Sequence, residues 1–162
     1  MSQNDDIVPL EQQLCFSVYS AAHAFNAAYK PLLEPLGLTY PQYLVLLALW
    51  QKDGVSVKDI GTRLHLDSGT LTPLLKRLQA SGYVRRGRNP SDERQLLVEL
   101  TPEGQSLRAR AAEVRKSLVC GLGQAEASIQ ALREQVDVMT GLLRDMTRKS
   151  APPESPHPGL LG

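Results

Sequence analysis

The chain has 162 residues, 42% hydrophobic and 22% charged, enough for one ordinary domain with a buried core. No run stays apolar for the ~20 residues of a membrane span, and the acidic, polar start MSQNDDIVPLEQQL is the reverse of a signal peptide, so we expect a cytoplasmic protein without a membrane partner. The net charge of +1 indicates no class of partner until its distribution is read.

Residues 10–34 read as a long helix, because Leu14, Val18, Ala21, Phe25, Ala28 and Leu32 recur at heptad-like spacing. Pro31, Pro35 and Gly37 are expected to end it. A second helix opens at Thr39-Tyr40-Pro41-Gln42, where Thr39 and Gln42 form a capping box. It is apolar nearly all round through Trp50, as a central core helix is, and stops at Asp53-Gly54.

Val55-Ser56 predicts a short strand, followed by a helix over 57–64. Asp67 or Ser68 caps the next helix. Pro73 predicts that this helix either starts later than Ser68 or is kinked at its start. Its inward face is Leu71, Leu74, Leu75 and Leu78, and Ser81-Gly82 ends it.

YVRRGRNPSDERQLLVELT then reads as two strands around an Asn-Pro-Ser-Asp turn, with Leu96, Val98 and Leu100 alternating onto a buried face. Thr101-Pro102-Glu103 opens a helix of about 18 residues that Gly121 and Gly123 interrupt. A last helix covers roughly 125–148, with Ile129, Leu132, Val136, Met139, Leu143 and Met146 as its seam. The proline-rich tail 149–162 is expected to be disordered.

Two short helices followed by a hairpin make a winged helix-turn-helix, which lays one helix in the major groove and reaches sideways with a wing. Charge supports this. From Lys58 to Arg94 eight basic residues face four acidic ones, so the reading module carries +4 and the rest of the chain is acidic.

The expected fold is mainly α with a small β wing. The winged helix-turn-helix domain spans 39–101. The helices of 10–36 and 102–148 form a dimerisation domain, since their apolar seams can pack between two copies. Packing within one subunit is the plainer alternative.

Short polar residues at the start of the second motif helix, Ser68, Thr70 and Thr72, are the base-edge candidates. Lys76 and Arg77 read as phosphate contacts, and Arg86 and Arg88 flank the wing. For each arginine the plain alternative is a solvated surface charge. His23, His65 and His157 are scattered, so no metal site is expected. No catalytic constellation, cofactor motif or Gly-rich phosphate loop is present in the sequence either, and no enzyme or cofactor is expected.

SVKDIGTRLHLDSGTLTPLLKRLQASGYVRR followed by NPSDER and LTPEG resembles the MarR family of winged-helix repressors, over about residues 20–145. The resemblance implies a homodimer on a palindromic DNA operator. It also implies that Arg94 reaches the minor groove and that Asp92 orients it by a salt bridge. LCFSVYSAAHAFNAAYKPLL is similar to the OhrR group within that family, the organic-hydroperoxide sensors.

The group implies that Cys15 is the redox sensor, with Tyr19, Tyr29 and Tyr40 as hydrogen-bonding tyrosines around it. It further implies that Cys120 resolves the oxidised thiol across two subunits. The sequence itself leaves open whether the two cysteines meet within one chain or between two. Tyr43, Phe16 and Trp50 belong either to apolar pocket walls or to the core. His23 is read as solvated or structural rather than as a charge for Cys15.

The function expected is a repressor that binds its operator when reduced and releases it on oxidation by an organic hydroperoxide. Two alternatives stand beside it. One is a repressor released by a reversibly bound phenolic ligand; the other is a thiol peroxidase, against which the basic hairpin argues.

Overall fold

The computed structural model describes residues 7–150, and the tail after Ser150, with His157, lies outside the described residues. Six helices and three strands follow in the order α1 (Leu14–Leu33), α2 (Tyr40–Gln51), β1 (Val55–Ser56), α3 (Val57–Leu64), α4 (Ser68–Ala80), β2 (Val84–Asn89), β3 (Asp92–Leu100), α5 (Pro102–Leu122) and α6 (Glu126–Ser150). The strands form one antiparallel sheet in the order β1-β3-β2. The fold is mainly α with a small β wing, as the sequence predicts. The chain divides into two compact units, one ending at Gly121 and the other beginning at Leu122. No single helix among the described residues is long and apolar enough to cross a membrane.

In the first unit α2 is the central element. Seven of its twelve residues are buried: Gln42, Tyr43, Val45, Leu46, Ala48, Leu49 and Trp50. Its capping box forms, and the Gln42 side chain accepts from the Thr39 backbone N–H at 2.8 Å. Leu33, Leu71, Leu75, Leu78, Val84, Val98 and Leu107 close around it. In the second unit α6 leaves Leu132, Val136, Leu143 and Met146 of its predicted seam exposed.

Several boundaries differ from expectation. Residues 10–34 are not one helix: Leu10–Gln12 is a 3-10 turn, and extended backbone at Gln13 separates it from α1. Pro31 lies inside α1 rather than ending it, and a further 3-10 turn, Glu34–Leu36, follows. α4 begins at Ser68 with Pro73 within it, not later. α5 runs 21 residues and passes through Gly121. Gly123 alone adopts the left-handed φ of 61° that ends the segment. α6 continues to Ser150, which makes Lys149 and Ser150 of the predicted tail helical. Leu96 is 49% exposed although it alternates with the fully buried Val98.

The first turn of α5 is fixed to the sheet. The Trp50 indole N–H donates to the Gly104 carbonyl at 3.0 Å, and the Thr101 N–H donates to the Tyr83 carbonyl at 3.1 Å. The Thr101 hydroxyl donates to the Gly82 carbonyl at 2.5 Å and accepts from the Gly104 N–H at 3.0 Å.

Candidate functional site

The helix-turn-helix is held by close packing at its turn. A side chain at Gly61 would place its Cβ 2.8 Å from the Leu66 carbonyl oxygen, and His65 takes a left-handed φ of 55°. α4 then starts under a cap. Asp67 accepts from the Thr70 backbone N–H and from the Thr70 hydroxyl, both at 2.9 Å. The backbone bond, and then the hydroxyl bond, hold the Asp67 carboxyl below its ordinary pKa. A depressed folded-state pKa stabilises the fold above the unfolded value, and that contribution is lost as pH falls through the folded one. Thermal melts of wild type and Asp67→Asn should therefore differ most at neutral pH and converge in acid. A constant difference down to low pH would remove this linkage.

The base-edge candidates stand unequally. Ser68 is exposed and Thr72 is half-buried. Thr70 is exposed, but its hydroxyl proton is committed to Asp67, so it offers a nucleobase only an acceptor. Lys76 and Arg77 are exposed on the outer side of α4, whose Leu71, Leu75 and Leu78 are buried and Leu74 is packed against the core.

In the wing, Arg85 is paired with Glu99 at 2.9 Å, so much of its charge is spent locally. Arg86 is half-buried and donates from Nε to Gln79 Oε1 at 2.6 Å. Arg88 and Arg94 are exposed. The contact that joins Asp92 to Arg94 runs from the Arg94 backbone N–H to Asp92 Oδ1 at 3.1 Å. Lys58, Thr72, Arg86, Arg94, Gln95 and Leu96 line one channel between the start of α3, the middle of α4 and the wing. Of these, Lys58, Gln95 and Leu96 are absent from the sequence-based site, as is Gln79. Lys58 was visible there as part of the basic cluster. The approach of Gln79 to Arg86 leaves no sequence signal.

The thiol side begins with Cys15, exposed in the first turn of α1. Tyr19, one turn on, packs against His23 with ring centroids 4.3 Å apart. Tyr29 instead packs on Tyr40 at 4.6 Å and on Tyr43 at 5.7 Å. Burial, reinforced by Tyr43 and Tyr40 and opposed by Arg115, pushes the Tyr29 phenol up to about 12. Burial also raises Tyr40 and Tyr43. Phe16 is half-buried, and Trp50 belongs to the core.

The predicted tyrosines therefore fall into two places. Cys15 and Tyr29 are two heptads apart on one unbroken helix, about 21 Å along its axis, so Tyr29 and Tyr40 lie out of reach of the thiol of their own chain. Cys120 is exposed near the end of α5. One turn before it, Ser117 shares a groove with Leu32, and Arg110 donates to the Pro35 carbonyl at 2.8 Å. Leu32 is about 25 Å along α1 from Cys15, against roughly 5 Å from Ser117 to Cys120. Within one chain the two thiols are farther apart than a disulfide spans.

Residues 27–110 match the family model of the SarA/Rot transcriptional regulators. The chain is 39% identical over 150 residues to the organic hydroperoxide resistance transcriptional regulator of Bacillus subtilis, covering 93% of this chain and 100% of that protein. It is 62% identical over 112 residues to the HTH-type transcriptional regulator TtmR of Methylorubrum extorquens, covering 68% of this chain and 57% of TtmR. The matched part thus spans little more than half of TtmR. Among solved structures, reduced AbfR bound to DNA superposes with a TM-score of 0.69 at 39% identity, covering 82% of this chain and 93% of that one. AbfR is a protein of Staphylococcus epidermidis. A disulfide-formed AbfR structure matches at a TM-score of 0.61 over 81% of this chain and 92% of that one.

Proposed function

The chain belongs to the MarR family of winged-helix transcriptional regulators, and we propose that it is a redox-switched repressor that senses organic hydroperoxides through Cys15. The observation that carries this reading is the position of Cys15, an exposed thiol in the first turn of α1, in a chain of which 93% aligns with the full length of an organic hydroperoxide resistance regulator. Cys15 acts as a thiolate on the hydroperoxide O–O bond. One oxygen is transferred to sulfur as a sulfenic acid, and the remainder leaves, after protonation, as an alcohol. The thiol of Cys120 then attacks that sulfur; a disulfide forms and water leaves.

The working unit is a homodimer. Leu14, Val18 and Phe25 of the α1 seam are exposed in one chain, as are Leu132, Val136, Leu143 and Met146 of the α6 seam, and a second copy is the partner that buries them. In such a dimer Tyr29 and Tyr40 serve the Cys15 of the other subunit, since their own is about 21 Å away. Phenol hydroxyls that burial keeps protonated remain hydrogen-bond donors to a thiolate.

The DNA half of the reading predicts that reduced protein binds a palindromic duplex as a dimer. Ser68, Thr70 and Thr72 meet base edges; Lys76, Arg77, Arg86 and Arg88 meet phosphates; Arg94 enters the minor groove, its strand held by Asp92. With roughly four phosphate contacts per subunit, log K against log salt has a slope of about −7. A slope near zero, or monomeric binding, would remove this function. Arg94→Ala should weaken binding more than the same change at Arg85, which Glu99 already neutralises. Equal losses would take Arg94 out of the wing role.

A second reading, release by a bound phenolic ligand, has one observation in its favour. Tyr43, Trp50, Arg108 and Arg115 wall a groove between α2 and α5, with aromatic and cationic chemistry suited to a phenolic carboxylate. Release of DNA from Cys15→Ser by such a compound, with no response to hydroperoxide in wild type, would favour it.

A further inference from the structure

The core-facing side of the wing continues past the point where the core ends. Arg86 pairs opposite Val98 and Arg88 opposite Leu96, and residues two apart on a strand share a face. Leu96 and Val98 therefore point to the same side of β3; beyond Leu96 the pairing with β2 shifts register, and Arg94 and Gln95 both reach the same channel there. Val98 is completely buried, while Leu96, two residues farther out, is half exposed and walls the channel with Lys58, Arg86 and Arg94. A single exposed leucine is ordinary on a protein surface. An apolar side chain set among three cations in a concave channel calls for a ligand with both characters.

Such a ligand follows from the geometry of a winged helix on DNA. α4 lies in the major groove and the wing reaches the neighbouring minor groove. A single sugar–phosphate strand separates those two grooves, so it must run between α4 and the wing. That strand alternates an anionic phosphate with the apolar face of a deoxyribose. The channel matches this alternation. Gln79 holds Arg86 by Nε, which leaves both terminal nitrogens for a phosphate. The nearby Asp59 carboxylate accepts from the Ser56 hydroxyl at 2.8 Å within the α3 cap. We propose that this channel seats one strand of the duplex backbone, with Leu96 packed on a deoxyribose, Lys58 and Arg86 on the flanking phosphates, and Arg94 at the end that opens to the minor groove. This rests on the DNA-binding reading above and adds Lys58 and Leu96 to it, with Gln79 as a positioning residue.

The test is fluorescence anisotropy over a series of salt concentrations, with a duplex selected from a random pool on the wild-type protein. Leu96→Ala should bind about fivefold or more weakly at every salt concentration, with the slope unchanged, because it removes apolar contact and no charge. Leu96→Met should restore most of the affinity. Lys58→Ala should instead lower the slope by about 0.9 per protomer. Replacing thymine by uracil in the duplex should leave the Leu96→Ala effect intact. Wild-type binding by Leu96→Ala, or a loss that appears only as a change of slope, would overturn the inference and leave the repressor reading standing. A Leu96→Ala effect that vanishes on the uracil duplex would mean that Leu96 reads a base methyl, which also overturns the backbone placement. Failure of wild type to select any duplex would overturn both.

Discussion

A single methyl group at Gly104 should destabilise the fold by about 3 kcal/mol or more and lower the melting temperature by about 6–12 °C. The added Cβ would lie 2.0 Å from the Tyr83 carbonyl oxygen and 3.3 Å from Leu100 Cδ2. Neither side can yield cheaply. The Tyr83 carbonyl is held by the Thr101 N–H, and the Gly104 carbonyl is held by the Trp50 indole at the centre of the core. To relieve the clash, α5 must lift from the sheet and give up those hydrogen bonds together. Gly87→Ala is the control, because nothing lies within 4 Å of its Cβ and its φ is ordinary. It should melt like wild type. Equal melting of Gly104→Ala and Gly87→Ala would show that the contact at Tyr83 is not rigid. Because α5 carries Cys120 at its far end, the same substitution should also disturb disulfide formation in whatever fraction remains folded.

The physical role of Gly104 was not legible in the sequence, which shows LTPEG but not that Tyr83 packs against it from 21 positions away. What periodicity governs was legible. The capping box at Thr39, the short strand at Val55, both motif helices and the hairpin stand where pattern and caps put them. Pro73 was read as either delaying the start of its helix or kinking it; the delay does not occur, since α4 begins at Ser68 with Pro73 inside it. A proline inside a helix costs about 3 kcal/mol. Burying Leu71, Leu75 and Leu78 returns roughly 1.5–3 kcal/mol each, so tertiary packing outweighs the local penalty. Leu96 was read as buried because alternation records which side of a strand a residue faces and not where the core stops. The tyrosines show the same limit. Heptad spacing sets Cys15 and Tyr29 on one helix face but hides the two full heptads of helix between them.

Oxidised wild type should form a covalent dimer, and Cys15→Ser should form none and keep its DNA. The geometry makes this a test of the whole sensor. A disulfide requires Cα atoms about 4.4–6.8 Å apart. Within one chain, α1 separates Cys15 from the Leu32–Ser117 groove beside Cys120 by about 25 Å. A Cys15–Cys120 bond is therefore expected to join two subunits. Mixing Cys15→Ser with Cys120→Ser protomers provides the sharpest check. Each variant alone lacks one of the two thiols, so neither can form a Cys15–Cys120 bond. A mixed dimer holds one complete pair across its interface, and treatment with one equivalent of an organic hydroperoxide should link it into a band that dithiothreitol removes. An oxidised wild type that runs as a monomer with an internal Cys15–Cys120 link would overturn the cross-subunit assignment. Turning a mostly bound repressor into a mostly free one requires a few kcal/mol of difference between its two states, which a covalent bond across the dimerisation helices can supply by moving the two α4 helices out of register with the DNA. Cys120→Ser alone should oxidise at Cys15 but release DNA incompletely. Complete release by that variant, with Cys15 capped by an outside thiol, would make Cys120 a bystander. Tyr29→Phe should slow the first oxidation at neutral pH by removing a donor to the thiolate. An unchanged rate would leave Tyr29 as a packing residue.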